Sequence, residues 1–481
     1  MSDRYIVFDH GNADIGDVQV VGRAGHGRQE ISRLYEYQLE IEVLGDGGFS
    51  NDAIDSLLTN PVRIGFGEGS EHEVHGIIRE LEMMSVQSGE HTRYRLHIVP
   101  KLWFLTQTRR NRVWQDMSYL DIVKAVLEEH GLVAGTHVDD GCNGSYDPVE
   151  YTVQHDETDF DFISRLMEHY GIHYHFVANP DGELMVLGDD NASFEPVVDH
   201  DSLHYAPTAA SADEPNSIMS LRRFRRIRPA TVQIRDYNWR TPTTPLKFSA
   251  PVDEATGHGV IDIYGDHIAD EAEGTDVARI RAEQMMVTHD TFVMETASRF
   301  LFPGCRFELT GHPNPDLDQE YVVTGVVQGL GKGDDMRYRK TIEAIPAAVP
   351  FRPQRLTAWP KLDGLINAKV DGESRSTMTP IDDDGRYKVV IPGDENSKGG
   401  GKASRWVRRS QPSAGSGYGM HLPLHIGTEC VIGHVNGDPD RPIILGAVPN
   451  TETASPVVGP NATHSRIRTG SGVVIELDDD C

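Results

Sequence analysis

At 481 residues, with 47 Gly and 27 Pro spread along its length, the chain is several times a typical domain and reads as two to four domains of short strands joined by turns. Asp and Glu total 74 against 45 Lys and Arg, and the net charge of -29 disfavours nucleic-acid phosphates and anionic lipid headgroups as partners. No apolar run approaches the roughly 20 residues of a membrane span and no apolar stretch follows Met1, so a protein made and folded in the cytosol, without stable membrane insertion, is expected. Cys142, Cys305, Cys430 and Cys481 lie far apart with no CxxC pair, which indicates ordinary thiols.

The first hundred residues break into strand-like runs, RYIVFD, LYEYQLEIEVL, PVRIGF, VHGIIRELEMM and TRYRLHIVP. In the second, Tyr35, Tyr37, Leu39, Ile41 and Val43 alternate with Glu36, Gln38, Glu40 and Glu42, so one face is expected in a core and the other in water. Two helices follow. Ser118 to Asp121 has the S-x-x-D form of a capping signal, Leu120, Val123 and Leu127 repeat at helical spacing, and Gly131 is placed to end the helix. Thr158 to Asp161 repeats the plan, with Phe160, Ile163, Met167 and Tyr170 on one face and Gly171 before the strand IHYHFV. Past an acidic loop, LRRFRRIRPATVQIRDYNWRTPTTPL reads as a long strand pair. A third helix is expected from about Thr275 to Thr288 with Val277, Ile280 and Met285 inward, and FLFPGCRFELTGHP and EYVVTGVVQ return to strands. VPFRPQRLTAWPK, rich in proline, reads as a linker.

From Leu365, the runs LINAKV, GRYKVVI, RWVRRS, TECVIGHV and IILGAV are strand candidates for a small closed barrel of OB type. Thr428 to Val435 and Ile443 to Val448 make a hairpin, and the tip from Asn436 to Pro442 holds Gly, Asp and Pro, which preset turn dihedrals and refuse to continue a strand. The closing run SRIRTGSGVVIELDDDC alternates again, with Ile467, Thr469, Val473, Ile475 and Leu477 suited to one face of a strand.

Three segments together carry a family resemblance. WVRRSQPSAGSGYGMH continuing into GTECVIGHVNGDPDRPIILGAVP, the run YTVQHDETDFDFISRLMEHYGIHYHF, and Asp236, Tyr237 and Pro242 in a DY-x-x-x-x-P pattern resemble, in decreasing strength, the valine-glycine repeat (VgrG) spike proteins of the bacterial type VI secretion system. The resemblance implies a mainly β protein with α+β insertions. Its parts would be a first hub β-barrel over 1–110, an α+β hub segment with two helices over 111–205, and a second hub barrel with one helix over 206–350. A linker over 351–364, an OB barrel over 365–450 and the start of a truncated trimeric β-spike over 451–481 would complete it. It further implies a homotrimer that caps the hexameric tube protein (hemolysin-coregulated protein). Baseplate components, toxin effectors and adaptors, and a proline-alanine-alanine-arginine repeat (PAAR) tip on a full spike are the other implied partners. The protein would be cytoplasmic until firing and then injected, with a mechanical role, no catalysis and no cofactor. The family's long valine-glycine repeats are not found after the barrel. Residues after about Pro460 are therefore expected to be poorly ordered and the PAAR tip unbound, since repeat architectures need several stacked units before they stand alone.

Each chemical motif meets a spacing that weakens it. His169, His173 and His175 lie close in sequence, but two are on one strand face and one on a helix, so half-buried histidines are expected rather than a zinc site, and HEVH at His72 to His75 lacks the i, i+4 pair. IDDDGRY has Pro380 where a calcium loop needs a ligand and no Glu at the right distance, so an Asp-rich turn is expected, and the family resemblance implies a structural role there for Asp384, Gly385, Arg386 and Lys388. GGGKAS lacks the earlier Gly of a phosphate loop, and Ala414 breaks a serine elbow. Arg222, Arg223, Arg225, Arg226 and Arg228 are either a solvated strand edge or an interface whose guanidinium forks bind a neighbouring subunit's carboxylates. With them, Asp438, Pro439, Asp440, Arg441 and Pro442 of the hairpin tip are the structural or interface candidates. The rival readings are a contractile phage tail or tailocin hub, which shares the fold, and an oligosaccharide-binding or degrading OB protein, for which Trp406 and Tyr418 supply too few aromatic platforms.

Overall fold

The computed structural model describes residues 6–480 apart from 17, 45–46, 67–72, 88–90, 180–181, 198–201, 208–216, 297, 331–337 and 374–378. The beginning of RYIVFD, His72 of HEVH, most of the acidic loop and Cys481 thus lie outside the described residues. The chain divides into two compact units, one of Met1–Thr108, Val123–Tyr146 and Asp159–Ala358, the other of Arg109–Ile122, Asp147–Thr158 and Trp359–Cys481.

The first unit is built on one continuous sheet. Strands Ile6–Asp9, Pro61–Phe66, Glu73–Gln87, His91–Val99, Glu36–Leu44 and Gln19–Glu30 pair antiparallel in that order. Residues Tyr35, Tyr37, Leu39, Ile41 and Val43 are all buried, so the period of two does set the inner face. The outer face departs from it at Glu42, which is 2% exposed and held by Arg23 and Arg93, so a carboxylate expected in water is covered by two guanidinium stems. Helix α1, Asn51–Thr59, was not read from the sequence; its start is capped by Ser50, whose hydroxyl accepts from Ala53 N at 3.2 Å.

Gln19–Glu30 also pairs with Glu320–Leu330, and there the sheet continues into a second group of strands. Glu320–Leu330, Tyr338–Pro346, Asp290–Thr296, Ser217–Arg225, Ser202–Tyr205 and Cys305–Thr310 follow one another, and the last pairs back to Glu320–Leu330. This closes a six-stranded barrel. Leu203, Ile218, Phe292, Met294, Phe307, Leu309 and Val323 fill its interior.

Helix α2, Tyr119–Glu129, starts as expected, with Ser118 Oγ accepting from Asp121 N at 3.1 Å, and Gly131 ends it at φ 71°. Helix α3, Asp159–Tyr170, runs to Gly171 at φ 69°, where a Cβ would stand 2.7 Å from Arg352 Cδ. It is not one-faced, because Arg165, Glu168 and His169 are buried along with Phe162, Ile163 and Leu166. The expected strand pair beginning at Leu221 does not form. Pro229 separates Ser217–Arg225, in the barrel, from Thr231–Asp236, which instead pairs with Leu246–Pro251 and Val260–Tyr264 in a three-stranded sheet. Helix α4, Glu271–Met286, covers that sheet with Val277, Ala278 and Ala282. It begins four residues before the expected start, since Asp270 caps it by accepting from Glu273 N at 3.0 Å.

The second unit holds a five-stranded sheet in the order Lys388–Val390, Ile366–Asp371, Glu429–His434, Pro442–Ala447, Arg408–Arg409. The reciprocal Tyr387 N to Val407 O (2.9 Å) and Val407 N to Tyr387 O (2.7 Å) bonds join its two ends, closing a small barrel around Ala368, Val370, Val389, Cys430, Ile432 and Ile444. Strands Arg109–Trp114 and Thr152–Thr158, paired antiparallel, belong to this unit although they lie far upstream in sequence. Asp394 accepts from Val113 N at 3.0 Å, and Glu395 N donates to Asn111 O at 3.1 Å. The closing run is a hairpin, His464–Arg468 with Val474–Asp478, rather than the single expected strand, because Thr469 to Gly472 turns the chain back.

Candidate interaction surfaces

The arginine run begins inside the barrel strand Ser217–Arg225 and continues past its end to Pro229. Beyond Ile218 that strand is paired on one side only, to Asp290–Thr296, so the run lies on an open edge among the described residues. Arg223 forks onto Asp290 with Nε and Nη2 at 2.8 and 2.5 Å, a bidentate pair that pushes its pKa above the ordinary guanidinium value. Arg226 donates to Thr288 O (3.3 Å) and Thr291 Oγ1 (2.8 Å), and Arg228 donates to Thr288 O. Burial, with Arg226 beside it, lowers the pKa of Arg228. Arg225 reaches His289 Nε2 at 3.5 Å, and Arg222 and Arg226 lie 5.9 and 5.4 Å from the centre of the Phe224 ring. Of the five arginines only Arg223 meets a carboxylate among the described residues.

The tip of the Glu429–His434 and Pro442–Ala447 hairpin is organised from within. Asn436 and Gly437 take positive φ, Asp438 accepts from Asp440 N (2.9 Å) and Arg441 Nε (3.2 Å), and Pro442 opens the returning strand. Asp440 Oδ1 accepts from Val153 N at 2.6 Å, so the tip carboxylate is a joint to the Thr152–Thr158 strand of the same unit. Pro439 and Asp440 are both buried.

His169, His173 and His175 are fully buried rather than half-buried, and burial lowers all three pKa values, His173 to about 4 and His175 to about 3. Their neighbours account for their positions. Arg281 Nη2 donates to His169 Nδ1 at 3.0 Å, while His173 stacks on Phe194 with centroids 4.5 Å apart, and His175 tilts against the same ring at 5.7 Å. In IDDDGRY the organising group is Asp382, which accepts from the backbone N of Asp384 (3.1 Å) and Arg386 (2.8 Å) and pairs with the Arg386 side chain. GGGKAS is a loop whose Gly401 and Ala403 amides donate to Asp371 at 2.8 and 3.2 Å.

Apolar side chains collect in the open on the C-terminal hairpin. Ile467, Val473, Ile475 and Leu477 are 42, 63, 62 and 67% exposed, while Arg466 and Glu476 pair on its other face. The sequence singled out these apolar positions, but the fold-back that brings Ile467 opposite Ile475 needed the structure.

Residues 28–332 match the family described as phage tail baseplate hub (GPD), and residues 382–448 match the type VI secretion system/phage-baseplate injector OB domain. The type VI secretion system spike protein VgrG1c of Pseudomonas aeruginosa is 30% identical over 461 residues, covering 92% of this chain and 62% of that protein. VgrG1a of the same organism is 30% identical over 460 residues, covering 92% of this chain and 70% of its own length. Among solved structures, the E. coli c3393 protein is a component of the type VI secretion system similar to T4 bacteriophage tail proteins gp27 and gp5. It shares the fold with a TM-score of 0.68 and 22% identity over 90% of this chain and 98% of its own. The chain thus spans less than two thirds of VgrG1c.

Proposed function

The chain belongs to the VgrG family of spike proteins, and from that premise we propose that it works as the hub and spike base of a contractile injection machine of the type VI secretion class. The observation that carries this reading is the pair of six-stranded groups joined through Gln19–Glu30 and Glu320–Leu330. Three copies of a chain with two such groups present six around an axis, which suits a hexameric tube protein, and the OB barrel supplies the base of a spike. Its remaining partners on this reading are baseplate components, toxin effectors with their adaptors, and a PAAR tip where a full spike stands. The protein waits in the cytoplasm and leaves when the machine fires. No helix among the described residues is long and apolar enough to cross a membrane.

The role is mechanical rather than catalytic. The arginine run and the hairpin tip are proposed as interface and joint, respectively. A contractile phage tail or tailocin hub is the second reading, favoured by the baseplate-hub match over residues 28–332, whereas the spike relatives, aligned over 92% of this chain, favour secretion. Deleting the gene in its host and assaying tube protein in the medium tests the proposal. Release should cease and return on complementation. Unchanged release, together with no complex between purified chain and tube protein, would refute it.

A further inference from the structure

We propose that Phe224, Ile227 and the guanidinium groups around them form a contact patch for a carboxylate-bearing face of a second copy of this chain. The proposal rests on the hub reading above and gives that hub a specific copy-to-copy contact. Ile227 is 76% exposed and Phe224 38% exposed, at the open end of a barrel strand. Solvation of a charged strand edge explains the arginines, and the exposed Ile227 and partly exposed Phe224 add apolar surface among them that such solvation does not use.

The arrangement is held in place before any partner arrives. Arg222 and Arg226 flank the Phe224 ring at 5.9 and 5.4 Å, within the range where the face of a ring attracts a cation. Arg223 is fastened to Asp290, and Arg226 is tied to Thr288 O and Thr291 Oγ1. Aromatic side chains and arginines on a rigid element are the composition of energetically dominant contact residues, because little rotamer freedom remains to be lost on binding.

Charge identifies the occupant. Lys and Arg total 45 against 74 Asp and Glu, yet Arg222, Arg225, Arg226 and Arg228 meet no carboxylate among the described residues. Elsewhere Arg63, Arg95 and Arg306 each hold one. Guanidinium groups that meet no carboxylate among the described residues suit carboxylate acceptors, and the -29 net charge of a second copy supplies them in excess. A polyphosphate backbone fits worse, since its long row of charges would extend beyond the patch over an acidic surface.

The test uses the full chain, with sedimentation velocity over a concentration series at low and high salt. The parent should assemble, and less so at high salt. Arg222→Glu with Arg226→Glu should weaken assembly by about 100-fold and Phe224→Ala by about tenfold. Lys247→Glu, on a different sheet, should change it by no more than about twofold. Circular dichroism melts matching the parent would show that each variant is folded. As a second readout, a photo-crosslinking amino acid placed at position 227 should join two copies of the chain. A folded double reversal that assembles like the parent, a monomeric parent, or crosslinks only to the tube protein would each overturn the patch. Tube release in the gene-deletion assay would still report separately on the hub reading.

Discussion

The closed barrel of the first unit and the C-terminal hairpin of the second solve the same problem in opposite ways. Both are built of β-strands with apolar side chains on one face; the hairpin is antiparallel, and the barrel is antiparallel except where Ser202–Tyr205 pairs parallel with both of its neighbours. In the barrel, Cys305–Thr310 returns to Glu320–Leu330, and Phe292, Met294, Leu309 and Val323 are 0% exposed, so the chain covers its own apolar surface. In the hairpin the charged face is internally matched, Arg466 with Glu476 and His464 near Asp478, while Ile475 and Leu477 remain 62 and 67% exposed. Two strands have only two faces and no third layer, so burial there must come from outside the hairpin. Strand closure stabilises a region within one chain, whereas an open amphipathic pair makes its stability depend on what lies against it.

The largest break in this comparison comes from emptying the barrel. The Phe292 ring meets Tyr321 edge to face at 4.9 Å, and Phe292→Ala would leave a cavity that rigid closed strands cannot collapse into. Urea titration should show a loss of about 3–5 kcal/mol. A loss below about 1 kcal/mol would mean that the barrel repacks freely and that closure is not what holds it.

A smaller effect sharpens what closure costs. Lys340 sits 1% exposed in the same barrel, its Nζ donating to the carbonyls of Arg299 (3.0 Å) and Leu301 (2.8 Å). Burial lowers its pKa from 10.5 to about 7. The folded state therefore releases this proton near neutrality while the unfolded chain holds it to much higher pH. Between those values the unfolded state binds more protons, and stability rises with pH, by about 2 kcal/mol from pH 7 to pH 9 for this group alone. Lys340→Met should remove that rise. Equal pH slopes in parent and variant urea midpoints would show that Lys340 does not titrate in this range.

How far the sequence foretells each region follows from how local the controlling interactions are. The alternation from Tyr35 to Val43 and the Ser118 cap act within a few residues and were legible. So were the hairpin tip at Asn436 and Gly437 and the number of strands in the OB barrel, since turn chemistry punctuates them. A closed OB barrel was expected from the strand count, but the pairings that close the two barrels, the Tyr387 to Val407 bridge and the return of Cys305–Thr310, were not visible, because they depend on register between separated strands. Nor could local pattern place Val113 against Asp394 or Val153 against Asp440. The arginine run was visible as charge, but the fork of Arg223 onto Asp290, the hold of Arg226 and Arg228 on Thr288, the reach of Arg225 to His289 and the place of Arg222 and Arg226 beside Phe224 depend on the neighbouring strand.

The smallest expected effect tests the open side of the comparison. Ile475 faces Ile467 across the hairpin and is 62% exposed, so in a single chain its side chain has little burial to lose. At protein concentrations low enough to keep copies apart, Ile475→Ala should shift the unfolding free energy by less than about 0.5 kcal/mol. If the apolar face is covered by other copies, the same substitution should become more costly as concentration rises, because association stabilises only the form that buries the residue. Phe292→Ala should show no such dependence beyond that of the parent, since its surroundings are complete within one chain. Urea midpoints for both variants, measured at dilute and concentrated protein, separate the two regions. A shift for Ile475→Ala that is equally small at every concentration would show that copies do not cover the hairpin, and an equally large one would show that it is already buried in the single chain.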